Sequence, residues 1–141
     1  MAELVAESGI EGLPLAAGHC RLSALPRRLL AVVTRPGDGV RIGIGQWLVE
    51  GEGGVDVSDA FVGLAVEGAD AAEVLARLLP VDLAAGLPVR TLLRHTPVLV
   101  RARADGFGLL VPRSCAASAV ADVTAAMWAV AARREAQNAR G

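Results

Sequence analysis

The residue types able to do chemistry are few in this chain, and their spacing gives little for a reaction to use. His19 and Cys20 are adjacent, so on regular structure they cannot easily both face one metal, and His95 has no ligand-like partner nearby. Cys115 opens an Ala-rich segment where a helix dipole could lower its pKa, although a small apolar packing residue is the simpler reading. Ser114-Cys115 lacks a Gly-x-Ser-x-Gly elbow, and no Asp-His pair is placed to serve a nucleophile. Asp56 and Asp59 flank Val57-Ser58 in a loop-like stretch, which suits turn hydrogen bonds better than paired acid–base work. Gly43-Ile44-Gly45 has neither a third glycine nor a following helix, so a dinucleotide loop is not indicated. Arg94, Arg101 and Arg103 could together hold a carboxylate or phosphate, or form the solvated face of a strand. Trp47 reads as a core or interface anchor, and Trp128 as a residue that closes the core edge or meets a partner. This inventory does not make a self-sufficient enzyme, and it predicts no catalytic, cofactor or metal residues.

The elements that position these residues come from a chain of 141 residues, enough for one domain that buries roughly two thirds of its unfolded surface. Apolar residues make up 53 % and aromatics only 3 %, so the core is packed from small aliphatic side chains. Mean hydropathy is +0.47, an apolar excess that points to surface covered by a partner. Net charge is −1, so no global field favours nucleic acid or an anionic membrane. Every basic residue is Arg, and five of them (Arg21, Arg27, Arg28, Arg35, Arg41) cluster against Asp38 with no interleaved aromatic. Two distant cysteines predict reduced thiols and a cytoplasmic protein. The acidic N-terminus does not read as a signal peptide, and no apolar run approaches the roughly 18 residues that span a bilayer.

Periodicity supplies the scaffold. Residues 1–20 show no period and are expected to form a flexible arm. Leu29–Thr34 reads as a short strand. Gly39–Glu50 reads as a strand with a bulge or close approach at Gly43 and Gly45, then a re-extension through Trp47. In Phe61–Glu67, Val62, Leu64 and Val66 alternate with Gly63 and Ala65, giving a strand with a thin outer face that Gly68 ends. Asp70 with Glu73 resembles a capping box for a helix carrying Val74, Leu75, Leu78 and Leu79 up to Pro80. Leu83–Gly86 reads as a turn and Pro88–Leu93 as a strand or short helix, the alternation favouring strand. Two strands then flank Ala104-Asp105-Gly106, a hairpin signal. Ser114 is a candidate N-cap for a helix to about Arg134, with Ala116, Val120, Val123, Met127 and Val130 in one stripe. The fold class is therefore α+β: a mostly antiparallel sheet with two main helices on one face, on a split βαβ (ferredoxin-like) plan. One domain spans residues 21–134, and 135–141 form a frayed tail.

Several of these segments together carry a family pattern. Ile44-Gly45-Gln46-Trp47-Leu48-Val49, Val57-Ser58-Asp59, Val66-Glu67-Gly68-Ala69-Asp70-Ala71, Leu79-Pro80-Val81-Asp82-Leu83, Thr91-Leu92-Leu93 and Phe107–Ser114 resemble the gamma subunit of heterotetrameric sarcosine oxidase. That family is in turn similar to the folate-binding part of aminomethyltransferases such as the glycine-cleavage T-protein. There, an acidic pair on the equivalent strand works with folate. The matching positions here are near Leu99 and Val100, aliphatic side chains that can neither accept a proton nor pair with a folate nitrogen. The resemblance thus implies a cofactor-free accessory subunit that works with alpha and beta subunits, and with a delta subunit where the complex has one. FAD, FMN, NAD and tetrahydrofolate are expected in those partners. The complex would demethylate sarcosine oxidatively to glycine, passing the one-carbon unit to tetrahydrofolate and electrons to oxygen. The alternative left open by the residues is a stand-alone folate or small-anion binding module.

Overall fold

The computed structural model describes residues 10, 12–34, 37, 39–43 and 46–140. Its main layer is a six-stranded sheet built from β1 (Leu15–Ala17), β2 (Cys20–Ala24), β7 (Phe61–Glu67), β8 (Val89–Leu93), β9 (Thr96–Arg103) and β10 (Gly106–Pro112), in the order β1-β2-β7-β10-β9-β8. All neighbours are antiparallel. Since β7 and β9 both run against β10, they are parallel to each other with β10 inserted between them. Helix α1 (Ala71–Ala76) lies on the connection from β7, and this arrangement is the split βαβ plan expected. The two-residue turn at Ala104-Asp105 joins β9 to β10 as the hairpin signal predicts, and Pro88–Leu93 resolves as strand β8.

Alternation decides which face each side chain joins. Val62, Leu64 and Val66 of β7, with Val98, Val100, Leu109 and Val111, are buried against α1 and the long helix α2 (Ala116–Arg140). From α2, the stripe Ala116, Val123, Met127 and Val130 is buried as predicted, joined by Ala119 and Ala126, while Val120 is only partly covered. Alanines at these contacts let the helix axis approach the sheet closely, which suits a core almost without aromatics.

A second, four-stranded sheet has the order β4-β5-β3-β6, from β3 (Leu30–Val33), β4 (Val40–Gly43), β5 (Gln46–Glu50) and β6 (Val55–Asp56). Leu30 and Leu48 press onto Leu99, Phe61 and Leu110 on the helix-free face of the first sheet, a smaller second core. The molecule is thus layered: helices, large sheet, small sheet.

Several sequence expectations are corrected. Residues 39–50 are a hairpin rather than one strand that re-extends: β4 pairs with β5, with an irregular register between Arg41 and Gly43. Residues 44 and 45 lie outside the described residues. The presumed arm boundary at residue 20 falls too late, because Leu15–Ala17 pairs with β2 and both Ala17 and Cys20 are core residues beside α2. Helix α1 ends at Ala76 instead of running to Pro80; Leu78 and Leu79 are still buried, from the turn that follows. Ser114 is not an N-cap with a side-chain hydrogen bond, since α2 is entered through the 3-10 turn Arg113–Cys115. At its far end α2 continues six residues beyond Arg134, to Arg140, so 135–140 is helical and exposed. Finally, Arg113–Arg140 is long and apolar enough to cross a membrane by length and composition, contrary to the sequence estimate. Its apolar stripe packs on the sheet and α1, and a third of its most apolar window is buried.

Candidate functional site

Asp70 shows how local and distant chemistry compete for one carboxylate. It occupies the N-cap position of α1 but makes no side-chain cap bond. Its Oδ1 instead accepts from the Arg134 guanidinium of α2, and the residue is 1 % exposed. A buried carboxylate is very costly without a counter-charge, and a cap bond to a neutral amide would not supply one. Glu73, the other half of the expected capping box, pairs with Arg133. Asp70 Oδ2 is buried and has no hydrogen-bond partner. Cys20 lies close by, and burial first, then the Asp70 charge, push its thiol up to about 11. This cluster ties the end of α2 to the start of α1. A thiol kept protonated in this way is not a nucleophile.

The arrangement better suited to recognition is a cleft between the two sheets. It encloses about 590 Å3. Its floor is the helix-free face of β7, β9 and β10, where Phe61, Leu99 and Leu110 give an apolar surface and Gly63 and Gly108 give it depth. A Cβ at Gly63 would stand 3.2 Å from Leu25, and one at Gly108 would stand 3.4 Å from Arg103, so side chains there would fill the space. This is the thin outer face read from the β7 alternation.

Five arginines line the cleft: Arg27, Arg28, Arg101, Arg103 and Arg113. Glu50 accepts from both Arg28 and Arg101 through one oxygen, each at 3.0 Å. Arg27 pairs with the Asp59 carboxylate at 2.8 Å, and Arg113 donates to the Asp59 backbone carbonyl at 2.8 Å. Arg103 stands 3.6 Å from Glu67. Asp56 accepts from the Ser58 amide and hydroxyl, the turn bonding expected of that stretch, and these bonds hold its carboxyl below the usual range. Ser58 Oγ in turn accepts from the Leu30 amide, which fixes β3 at the edge of the cleft.

Of the three arginines singled out in the sequence, the structure brings two together. Arg101 and Arg103 point the same way from β9 into the cleft. Arg94 sits in the β8–β9 turn, 3.9 Å from Asp122 of α2, and does not line the cleft. Sequence reasoning missed Arg27, Arg28 and Arg113 as cleft residues. The local run of arginines was the only signal for the first two. Trp47 is half-buried in β5, opposite Val33 and Arg41, while Trp128 is 56 % exposed on α2. His19 and His95 are exposed turn residues. Leu99 and Val100, the positions compared with the folate-binding strand, are both buried, one in each core. Among the described residues no group of three or more His, Cys, Asp or Glu could hold a metal ion.

No family model matches the sequence, and no curated protein matches it. Among solved structures, a chain of heterotetrameric sarcosine oxidase from Corynebacterium sp. U-96, in complex with pyrrole 2-carboxylate, is similar at 25 % identity with a TM-score of 0.55. The match covers 92 % of this chain and 73 % of that one, so the matched chain is itself small, as the gamma subunit is. The resemblance carried by the sequence motifs and the likeness of fold thus agree: this chain is built like a subunit of heterotetrameric sarcosine oxidase.

Proposed function

We propose that this chain is a non-catalytic accessory subunit of a sarcosine-oxidase-like complex. The observation that carries the reading is the likeness of fold along nearly the whole chain to a chain of that heterotetramer. Two features support it. At the strand positions where related folds work on folate, this chain has Leu99 and Val100, both spent on packing. Leu29, Val55, Leu92 and Trp128 are large apolar side chains exposed to solvent on four separate parts of the chain, and in this reading partner subunits cover some of them. In this reading partner subunits of the alpha and beta type hold FAD, FMN, NAD and tetrahydrofolate and oxidise an N-methyl amino acid. This chain supplies structure to the assembly in the cytoplasm. The test is co-expression with candidate alpha and beta flavoprotein subunits, followed by affinity purification through a tag on this chain. Stoichiometric co-purification is expected. Recovery of this chain alone, while the flavoprotein subunits assemble without it, would sink the proposal.

A further inference from the structure

We propose that the cleft between the two sheets is a binding site for a small amphipathic anion, an apolar body bearing one carboxylate or similar oxyanion. The inference goes beyond the accessory role and needs no partner subunit. Three observations carry it. The volume, about 590 Å3, falls in the range of small-molecule sites. The floor is apolar, with Phe61, Leu99 and Leu110 beside the shallow Gly63 and Gly108, so a flat hydrocarbon or ring system can lie on it. The wall carries charge of one sign in excess: five guanidiniums line the cleft, against three carboxylates paired with them, Glu50, Asp59 and Glu67.

The arginines are held in place without being used up. Each guanidinium has five N–H donors, and the contacts described occupy only part of them. Glu50 shows what this wall accepts, because its carboxylate already sits between Arg28 and Arg101. A ligand carboxylate would bind the remaining donors of the same pair. Glu50 is then a competitor for the site, and that gives the proposal a prediction of opposite sign from simple loss of charge.

The test is a fluorescence titration of the full chain with anilinonaphthalene sulfonate, an aromatic monoanion, beside phenylnaphthylamine, which carries the same kind of ring system without the charge. Saturable one-site binding of the anion is expected. Arg28→Ala and Arg101→Ala should each weaken it about tenfold, the worth of one charge-assisted hydrogen bond. Glu50→Gln should tighten it several-fold by releasing both guanidiniums. Arg77→Ala, outside the cleft, should leave it unchanged, and circular dichroism of every variant confirms that the fold is retained. The neutral dye should bind more weakly and be indifferent to the arginine substitutions. Equal binding of the two dyes, no response to Arg28→Ala and Arg101→Ala, or weaker binding in Glu50→Gln would each overturn the proposal. Binding only of an acidic peptide, with neither dye bound, would assign the cleft to a partner chain and overturn it equally.

Discussion

On one face of the six-stranded sheet, Val62, Leu64, Val66, Val100 and Leu109 are buried in an apolar core against two helices. On the other face, the intervening positions Phe61, Gly63, Leu99, Arg101, Arg103 and Gly108 are part core, part cleft floor and part charged wall. Both faces come from the same alternating strands. The difference lies in what covers them: α1 and α2 cover one side, whereas the four-stranded sheet packs its apolar residues on Phe61, Leu99 and Leu110 and leaves Arg101 and Arg103 lining the cleft. Strand period assigns a residue to a face. It does not say how far a neighbouring layer extends over that face, and that extent determines where a ligand fits.

The largest effect expected from this contrast is in packing. Leu64→Ala, at a fully buried centre of the helix-covered face, should cost about 3–5 kcal/mol, because the close-packed sheet and helices cannot collapse onto the space left. Leu110→Ala, partly buried on the other face, should cost about 1–2 kcal/mol, since the open side can relax or admit water. Urea denaturation of the two variants checks this. Equal losses would mean that the second sheet packs as tightly as the helices do.

The next effect concerns Asp70. Arg134→Met should destabilise by about 1–3 kcal/mol, less than for a fully buried pair because the guanidinium is partly exposed to solvent. Adding Asp70→Asn should recover much of that loss, since the carboxylate left without its counter-charge is what makes the single variant costly. A double-mutant cycle reads the coupling directly. Additive losses would mean that the pair is not formed in solution.

Asp70 also marks the limit of what the sequence makes legible. Asp followed three residues later by Glu before an apolar run is a sound cap signal, and α1 does begin there. The partner that claims the carboxylate is 64 residues away, at a distance no local pattern reports. The same physics extends α2: Arg133 and Arg134 find acidic partners on α1, so the helix passes the point where dipole arguments stop it. Strands with four or more alternating positions, such as β7, β9 and β10, were readable because burial on one face enforces the period. β1 was not, because three residues cannot show one. The β4–β5 hairpin is hard to tell from one bulged strand in the sequence, because Gly43 and Gly45 suit a bulge and a turn equally, and only the pairing of β4 with β5 separates the two. The cleft was half legible. Arg101 and Arg103 share a strand face and can be grouped by spacing, but Arg27 and Arg28 join them only because β3 and β5 are carried over β9 by Leu30 and Leu48.

The two faces should also respond at opposite ends of the pH scale. Cys20 belongs to the helix-covered core, and its thiol is raised from 9.0 to about 11. The unfolded chain therefore ionises first on going alkaline. The stability this thiol contributes is complete below pH 9 and is lost as pH rises through 11. Urea midpoints should fall across that window, and the Cys20→Ala variant should lose the slope. In the folded protein, Cys115 should react with a thiol reagent while Cys20 does not.

The smallest effect belongs to the second sheet. Asp56 is held below the ordinary carboxyl range by the Ser58 hydroxyl and amide, so the folded state binds a proton less readily than the unfolded chain. Its contribution is present above the usual carboxyl value and is lost as pH falls through the lowered one. The Asp56→Asn variant should show a shallower loss of stability than the parent as pH falls through and below the ordinary carboxyl range, by a margin smaller than the Cys20 effect because Asp56 faces solvent. Ser58→Ala should do the same and also loosen β3, since the Leu30 amide loses its acceptor at 2.8 Å. Hydrogen exchange at Leu30 then tells the two apart. Faster exchange in Ser58→Ala but not in Asp56→Asn would show that the hydroxyl holds the strand and the carboxylate only orients the hydroxyl. Faster exchange in both would make the Asp56–Ser58 pair a single unit that seats the small sheet over the cleft.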